Sequence, residues 1–215
     1  MHPITAPILV LVLVCLWTWV CATDRTFWAL GSLPVVVFML GLVWFRRRLP
    51  LSVASYASIV LFFCLHEVGQ SYTYDLVPAG FWAAQAAGLQ RNPYDRLVHF
   101  ALGALMARPV VEASMLLGLR GRFLQPFLWT MAFSAIYEIA EGPALPGTVA
   151  RYFGPDVDPW DAQNDMATAG LGSLFGTLLA WLRPPQNRQR PQTEKGPEDG
   201  ARGQDSEQRG GGRNN

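Results

Sequence analysis

Six apolar runs, at residues 4–22, 27–45, 51–67, 94–112, 123–141 and 161–182, each come close to the ~20 consecutive residues that an α-helix needs to cross a bilayer. Nothing else in the chain constrains its fold as strongly. The expectation is an all-α integral membrane protein, a bundle of about six transmembrane helices. Composition agrees, since 51% of the residues are hydrophobic, 15% are charged, and Lys195 is a single lysine among arginines. The first run resembles a signal peptide in position. It lacks a basic leading segment, however, and the Cys-Ala-Thr after it is a poor cleavage site, so it reads as a retained span.

The net charge of +1 and the scattered arginines cannot form a contiguous basic surface, which sets nucleic acid aside as a partner. Cys15, Cys21 and Cys64 fall inside apolar runs without a spacing that suggests disulfides or a thiolate metal site, and read as buried hydrophobes. After Arg183 the composition turns to Pro, Gln, Gly, Arg and Glu, too polar to offset chain entropy by burial, so a disordered tail is expected. Three regions follow: two N-terminal transmembrane helices and a basic loop at 1–50, a four-helix membrane core at 51–183, and a disordered cytoplasmic tail at 184–215.

Arg46, Arg47 and Arg48 in the second loop, Arg108, Arg120 and Arg122 around the fourth, and Arg183, Arg188 and Arg190 all fall on one side. The positive-inside rule then places both termini in the cytoplasm, with the weaker set Arg25, Arg91, Arg96 and Arg151 outside. In the long outer loop, residues 78–89 are helical in composition but too short to span. They are expected to lie along the outer surface, anchored by Phe81 and Trp82.

With that topology the ionisable residues of the spans collect at the outer face. His66 and Glu67 end the third helix; Asp95, Arg96 and His99 begin the fourth; Glu138 and Glu141 end the fifth; Asp161 and Asp165 begin the sixth. Ionisable groups in a span are costly and mark a site by default. Helical residues three or four apart share a face, so Asp95 with His99, Glu138 with Glu141, and Asp161 with Asp165 should each project together. Ser134 extends the glutamate face, and Gly172 and Gly176 form a small-xxx-small stripe for a close neighbour.

Two stretches, "NPYDRLVHF" from Asn92 and "DPWDAQNDM" from Asp158, share an opening. Its ordinary explanation is a helix start, with Asn92 and Asp158 as N-caps, Pro93 and Pro159 in the first helical position, and Asp95 and Asp161 serving first-turn amides. Capping does not account for His99 and Asp165, one turn deeper. Glu138 and Glu141 oppose the helix dipole and each other, and call for a cationic neighbour: Arg96, Arg151, a shared proton or a metal ion. His66 and Glu67 point about 100° apart, so one of them, His66 by preference, would face the same cavity. Asp156 and Asp158 read as solvated turn residues.

This set suits a divalent metal ion held by His66, Asp95, His99, Glu138, Asp161 and Asp165 in some combination, with Glu138, Glu141, His99 and Asp165 as the catalytic candidates and Arg96 and Arg151 as charge partners. The first functional expectation is therefore a metal-assisted hydrolase or transferase acting on a lipid-linked or envelope substrate. The alternatives are a transporter or binding protein for a cationic or zwitterionic ligand, and a purely structural charge network.

The segments "LHEVGQSYTYDLVPAGFW", "RNPYDRLVHFALG", "YEIAE" and "DPWDAQNDM", in this order, resemble the uncharacterised bacterial inner-membrane family that includes YjdF, over residues 50–182. The resemblance implies a multi-pass protein of the bacterial cytoplasmic (inner) membrane and supplies no reaction. A weaker similarity is to the VanZ-like family. Asp95, Arg96, His99 and Phe100 match its first element, Glu138 its second, and Asp165, Gly172 and Gly176 its last, while Glu141 stands where Gln is usual and Ala169 where Asn is. That resemblance implies a link with the cell envelope.

Overall fold

The structure is a computed structural model that describes residues 4–141 and 160–185, within one compact unit. Arg151, Asp156, Asp158, Pro159 and the tail from Gln186 onward lie outside the described residues. So does the side chain of Glu141, the last residue of its helix.

Among the described residues seven helices follow in order: α1 Thr5–Cys21, α2 Arg25–Phe45, α3 Val53–Ser71, α4 Pro78–Ala87, α5 Tyr94–Leu116, α6 Gln125–Glu141 and α7 Asp161–Leu182. No strand occurs among the described residues. Among the described residues three helices, α2, α3 and α5, are by length and composition long and apolar enough to cross a membrane, and α1 is a shorter apolar helix.

The surface identifies the solvent. Leu9, Leu13, Val37, Leu40, Ile136, Ile139, Leu171 and Leu178 are exposed in mid-helix, while Thr18, Ser32, Ser55, Gln70, Ser134 and Ser173 are buried. In water, apolar surface on this scale would drive association. In hydrocarbon it is the low-energy face, and the polar groups turn inward to find partners.

Two groups of helices meet along α3 and α5: α3 also packs on α1 and α2, and α5 on α6 and α7. The α5–α7 contact is the most extensive, because the expected glycine stripe removes the side chains between the two backbones. A Cβ on Gly172 would stand 3.1 Å from the Phe100 Cα, and one on Gly176 would stand 2.8 Å from the Ala107 Cβ. Gly103 on α5 answers them, with a Cβ there meeting Gly172 of α7 at 2.9 Å. This direct backbone approach fixes the register that sets Asp165 opposite His99.

Local chemistry fixes the helix ends. Asp24 caps α2 through the amides of Thr26 and Phe27, and Ser52 caps α3 through Ser55. Glu112 of α5 reinforces the start of α3, accepting from the Ser52 amide at 2.7 Å, the Ser52 hydroxyl at 2.9 Å and the Ser55 hydroxyl. A carboxylate at a helix N-terminus satisfies both the orphan amide and the dipole. Helix α4 begins with Pro78 and ends on Gly88 in the left-handed conformation, and Phe81 and Trp82 are exposed on it.

The shared opening needs a correction in register. In α5 the cap position is Pro93, which has no side-chain cap, rather than Asn92. Asn92 instead makes a short turn, accepting from the Tyr94 amide at 3.0 Å while its own amide donates to the carbonyls of Asp75 and Val77 at 2.9 and 3.0 Å. It ties the loop before α4 to the start of α5. In α7 the cap position is Trp160, again without a side-chain bond. The cysteines also depart from expectation: Cys15 of α1 and Cys64 of α3 are half-buried, and Cys21 is exposed at the end of α1, which turns much of its surface outward.

Candidate functional site

The start of α5 faces the start of α7, and the last turns of α6 lie alongside. Asp95, His99 and Asp165 can each offer a ligand atom, all within 4.8 Å of one another. The His99 Nε2 is 3.8 Å from the Asp95 carboxylate on its own helix and 3.4 Å from Oε1 of Glu138. Its Nδ1 faces the Ser134 hydroxyl at 3.5 Å. The neighbour set beside Glu138 is thus the His99 imidazole, from the adjacent helix. Asp165 is 2% exposed, and both its Oδ1 and the Glu138 Oε1 are buried without a hydrogen-bond partner among the described residues.

Buried carboxylate oxygens without donors are costly. A bound cation in front of them would compensate that cost. One imidazole and two or three carboxylates are a suitable donor set for a divalent ion with positions left over for water.

Asp161 belongs to the mouth of the site rather than its centre. Arg91 grips it with two hydrogen bonds, at 2.7 and 3.1 Å, the two-pronged pairing for which a guanidinium is shaped. Arg91 also reaches Asp75 at 3.8 Å, and Arg96 lies 3.9 Å from Asp161 and 4.0 Å from Asp165. Burial tends to lower the Arg91 pKa, but the hydrogen bonds and charge of Asp161, with Asp75 and Asp95, hold it above its ordinary value. Burial pushes the Asp75 carboxyl up, against the pull of Arg91. Arg91 was absent from the expected charge partners. The available signal was its position just ahead of the helix that carries Asp95.

His66 is drawn away from the Asp95–His99–Asp165 group. A carbonyl only accepts, so the contact of His66 Nε2 with Gly31 O at 3.2 Å makes Nε2 the protonated nitrogen. Nδ1 then accepts from the Tyr74 hydroxyl at 2.7 Å, and neither nitrogen is left to bind a metal. Glu67, about 100° around the helix, points toward α1 and α2 instead, accepting from Ser32 at 2.9 Å. The two neighbours do point to different surroundings, but His66, the one expected to join the cluster, does not join it. The Tyr137 ring lies 6.2 Å from each of His66 and His99 and separates the two imidazoles.

An all-helical body with an apolar exterior, a polar interior and an acid–imidazole cluster near one end defines a helical integral membrane protein. More particularly, the chain belongs to the family described as "Predicted membrane protein (DUF2238)", whose model matches residues 4–185. It is similar to the inner membrane protein YjdF of Escherichia coli (strain K12), with 37% identity over 180 residues, 80% of this chain and 85% of that protein. No solved structure matches it. The chain is an inner-membrane protein of this family.

Proposed function

We propose that the chain crosses the inner membrane six times, through α1, α2, α3, α5, α6 and α7, with both termini in the cytoplasm, and that its outer-face cluster is a metal-assisted hydrolase or transferase site for a lipid-linked or envelope substrate. The membrane passes of α1, α6 and α7 are supported by their exposed apolar faces. The 17 residues of α1 and of α6 rise about 26 Å, close to the ~30 Å hydrocarbon thickness. The positive-inside arginines support the orientation.

The observation that carries the catalytic reading is the convergence of Asp95, His99 and Asp165, with Glu138 beside them and two buried carboxylate oxygens lacking donors. Asp95, His99 and Asp165 would hold the ion, which would polarise a substrate oxygen or activate a bound water. Glu138 would take a proton from that water, and Ser134, 3.5 Å from Nδ1, would orient the imidazole from its far side. Arg91 neutralises Asp161 at the mouth and leaves the inner carboxylates to the ion. The match of Asp95, Arg96, His99 and Phe100 to a VanZ-like pattern supports an envelope substrate.

The two-pronged Arg91–Asp161 pair favours a second reading, in which the acids and arginines only order the outer loops. Elemental analysis of purified protein separates the two. Near-stoichiometric divalent metal in the wild type, lost in His99→Ala and Asp165→Asn, is the expected result. A well-folded wild type without metal sinks the metal-assisted reading.

A further inference from the structure

Two cavities of opposite character flank the Asp95–His99 pair. The first, of about 180 Å³, is almost entirely apolar and runs between α2, α3, α5 and α6. Its floor includes the buried Phe62, Phe63 and Val98, its rim the exposed Pro34, Trp129 and Phe133, and its outer end His99 and Tyr137. The second, of about 280 Å³, lies above it at the start of α5, lined by Arg91, Asn92, Asp95, Arg96 and Asp161 among others. Asp95 borders the polar cavity and His99 the apolar one, and the two side chains are 3.8 Å apart.

We infer that the two cavities together hold one zwitterionic glycerophospholipid, with an acyl chain in the groove and the head group in the polar cavity. Three observations choose this occupant. On α5 the groove is lined by His99, Leu102, Met106 and Val110, a single helical face. Those eleven residues of advance rise roughly 16 Å, about half the ~30 Å hydrocarbon core and so the depth of one leaflet. The rim is formed by residues whose exposed faces meet the bilayer, so a chain can slide in sideways from the leaflet without leaving hydrocarbon. The polar cavity is lined by both signs of charge, Arg91 and Arg96 beside Asp95 and Asp161, so a head group that carries both a phosphate and an ammonium can exchange partners with these pairs without leaving a net charge unpaired. Charge complementarity therefore favours an ethanolamine-type head over an anionic one.

The inference deepens the functional reading, because it names the lipid class presented to the His99 cluster and rests on that cluster being the site. Its test needs neither metal nor turnover. The full chain is purified in detergent and given limiting dioleoylphosphatidylethanolamine that carries a diazirine in mid-chain, or the matching phosphatidylglycerol, then irradiated and mapped by peptide mass spectrometry. Adducts are expected on Phe62, Phe63 and Val98, buried residues of the floor that a chain reaches only by entering the groove, and more for the ethanolamine lipid than for the glycerol one.

Leu102→Trp fills the groove and should cut the floor adducts by about tenfold, the effect of losing ~1.4 kcal/mol of binding. Adducts on the outward-facing Leu9 and Leu13 of α1 should stay unchanged. Met106→Trp blocks the same groove deeper in, and serves if the first variant does not fold. Floor residues left unlabelled in the wild type, or labelled equally in both folded blocked variants, overturn the lipid site. Equal labelling by the two lipids overturns the head-group assignment. Floor labelling in a protein that binds no metal leaves the lipid site standing and removes the enzyme reading, while bound metal without floor labelling does the reverse.

Discussion

Adding a single methyl group at Gly172 tests the packing that assembles the site. A Cβ there would stand 2.9 Å from the Phe100 carbonyl carbon and 3.1 Å from its Cα. The Phe100 carbonyl oxygen lies closer still, and non-bonded heavy atoms prefer about 3.5–4.0 Å, so the helices must separate by roughly an ångström or more. The obstacle is backbone, which has no rotamer into which to retreat. Overpacking of this kind costs about 1–3 kcal/mol. The helix-propensity gain of alanine over glycine returns ~1 kcal/mol, so Gly172→Ala should be destabilised by up to about 2 kcal/mol.

Gly41→Ala provides the opposite sign. Nothing lies within 4 Å of a Cβ at Gly41, and the propensity term alone predicts a gain of about 0.5–1 kcal/mol. Reversible SDS titration followed by tryptophan fluorescence measures both. Because Asp165 lies two turns from Gly172 on the same helix, metal content, if metal binds, should also fall in Gly172→Ala and not in Gly41→Ala. Equal stability of the two variants would refute the account of the α5–α7 contact.

Three further outcomes are expected. Glu112→Ala removes the acceptor of three hydrogen bonds at the start of α3 and should destabilise by about 1.5–3 kcal/mol, the range for bonds to a charged group; unchanged SDS unfolding of α3 contradicts the capping role. Arg91→Lys keeps the charge and loses the fork. With the guanidinium side chain 38% exposed, the expected loss is only about 0.5–1 kcal/mol, together with faster proteolysis near residue 160, and equal protease resistance argues against the clamp. Asp75 binds its proton more tightly when folded than its ordinary 3.8, so its contribution to stability is fully present below that value and is lost as pH rises through the folded pKa. Asp75→Asn should flatten the stability–pH curve in that window, and an unaltered slope in parallel SDS titrations excludes this assignment.

Much of the architecture was legible in the sequence, because it is set by short-range physics. The length of each apolar run predicts a helix, and the observed bounds differ from expectation by a few residues. The three- and four-residue spacings correctly bring Asp95 beside His99 and put Gly172 and Gly176 on one stripe, since helical periodicity needs no knowledge of partners. What faces what across helices is not periodic. His66 and His99 look equivalent as residues, yet Tyr74 and the Gly31 carbonyl occupy one and Glu138 and Asp95 surround the other. Arg91 and Glu112 carried no motif at all. Their roles exist only because Asp161 lies 70 residues from the first and Ser52 lies 60 from the second.

The sequence by itself therefore determined the solvent, the helices and the polar residues that collect at one end of them, for hydrophobic length and helical pitch are properties of a segment. Only the tertiary structure decided which of those residues converge, which are already satisfied, and that an apolar groove ends on His99. Those outcomes depend on the register of α5 against α7 and on the gap left between α2 and α6, which arise when distant segments pack.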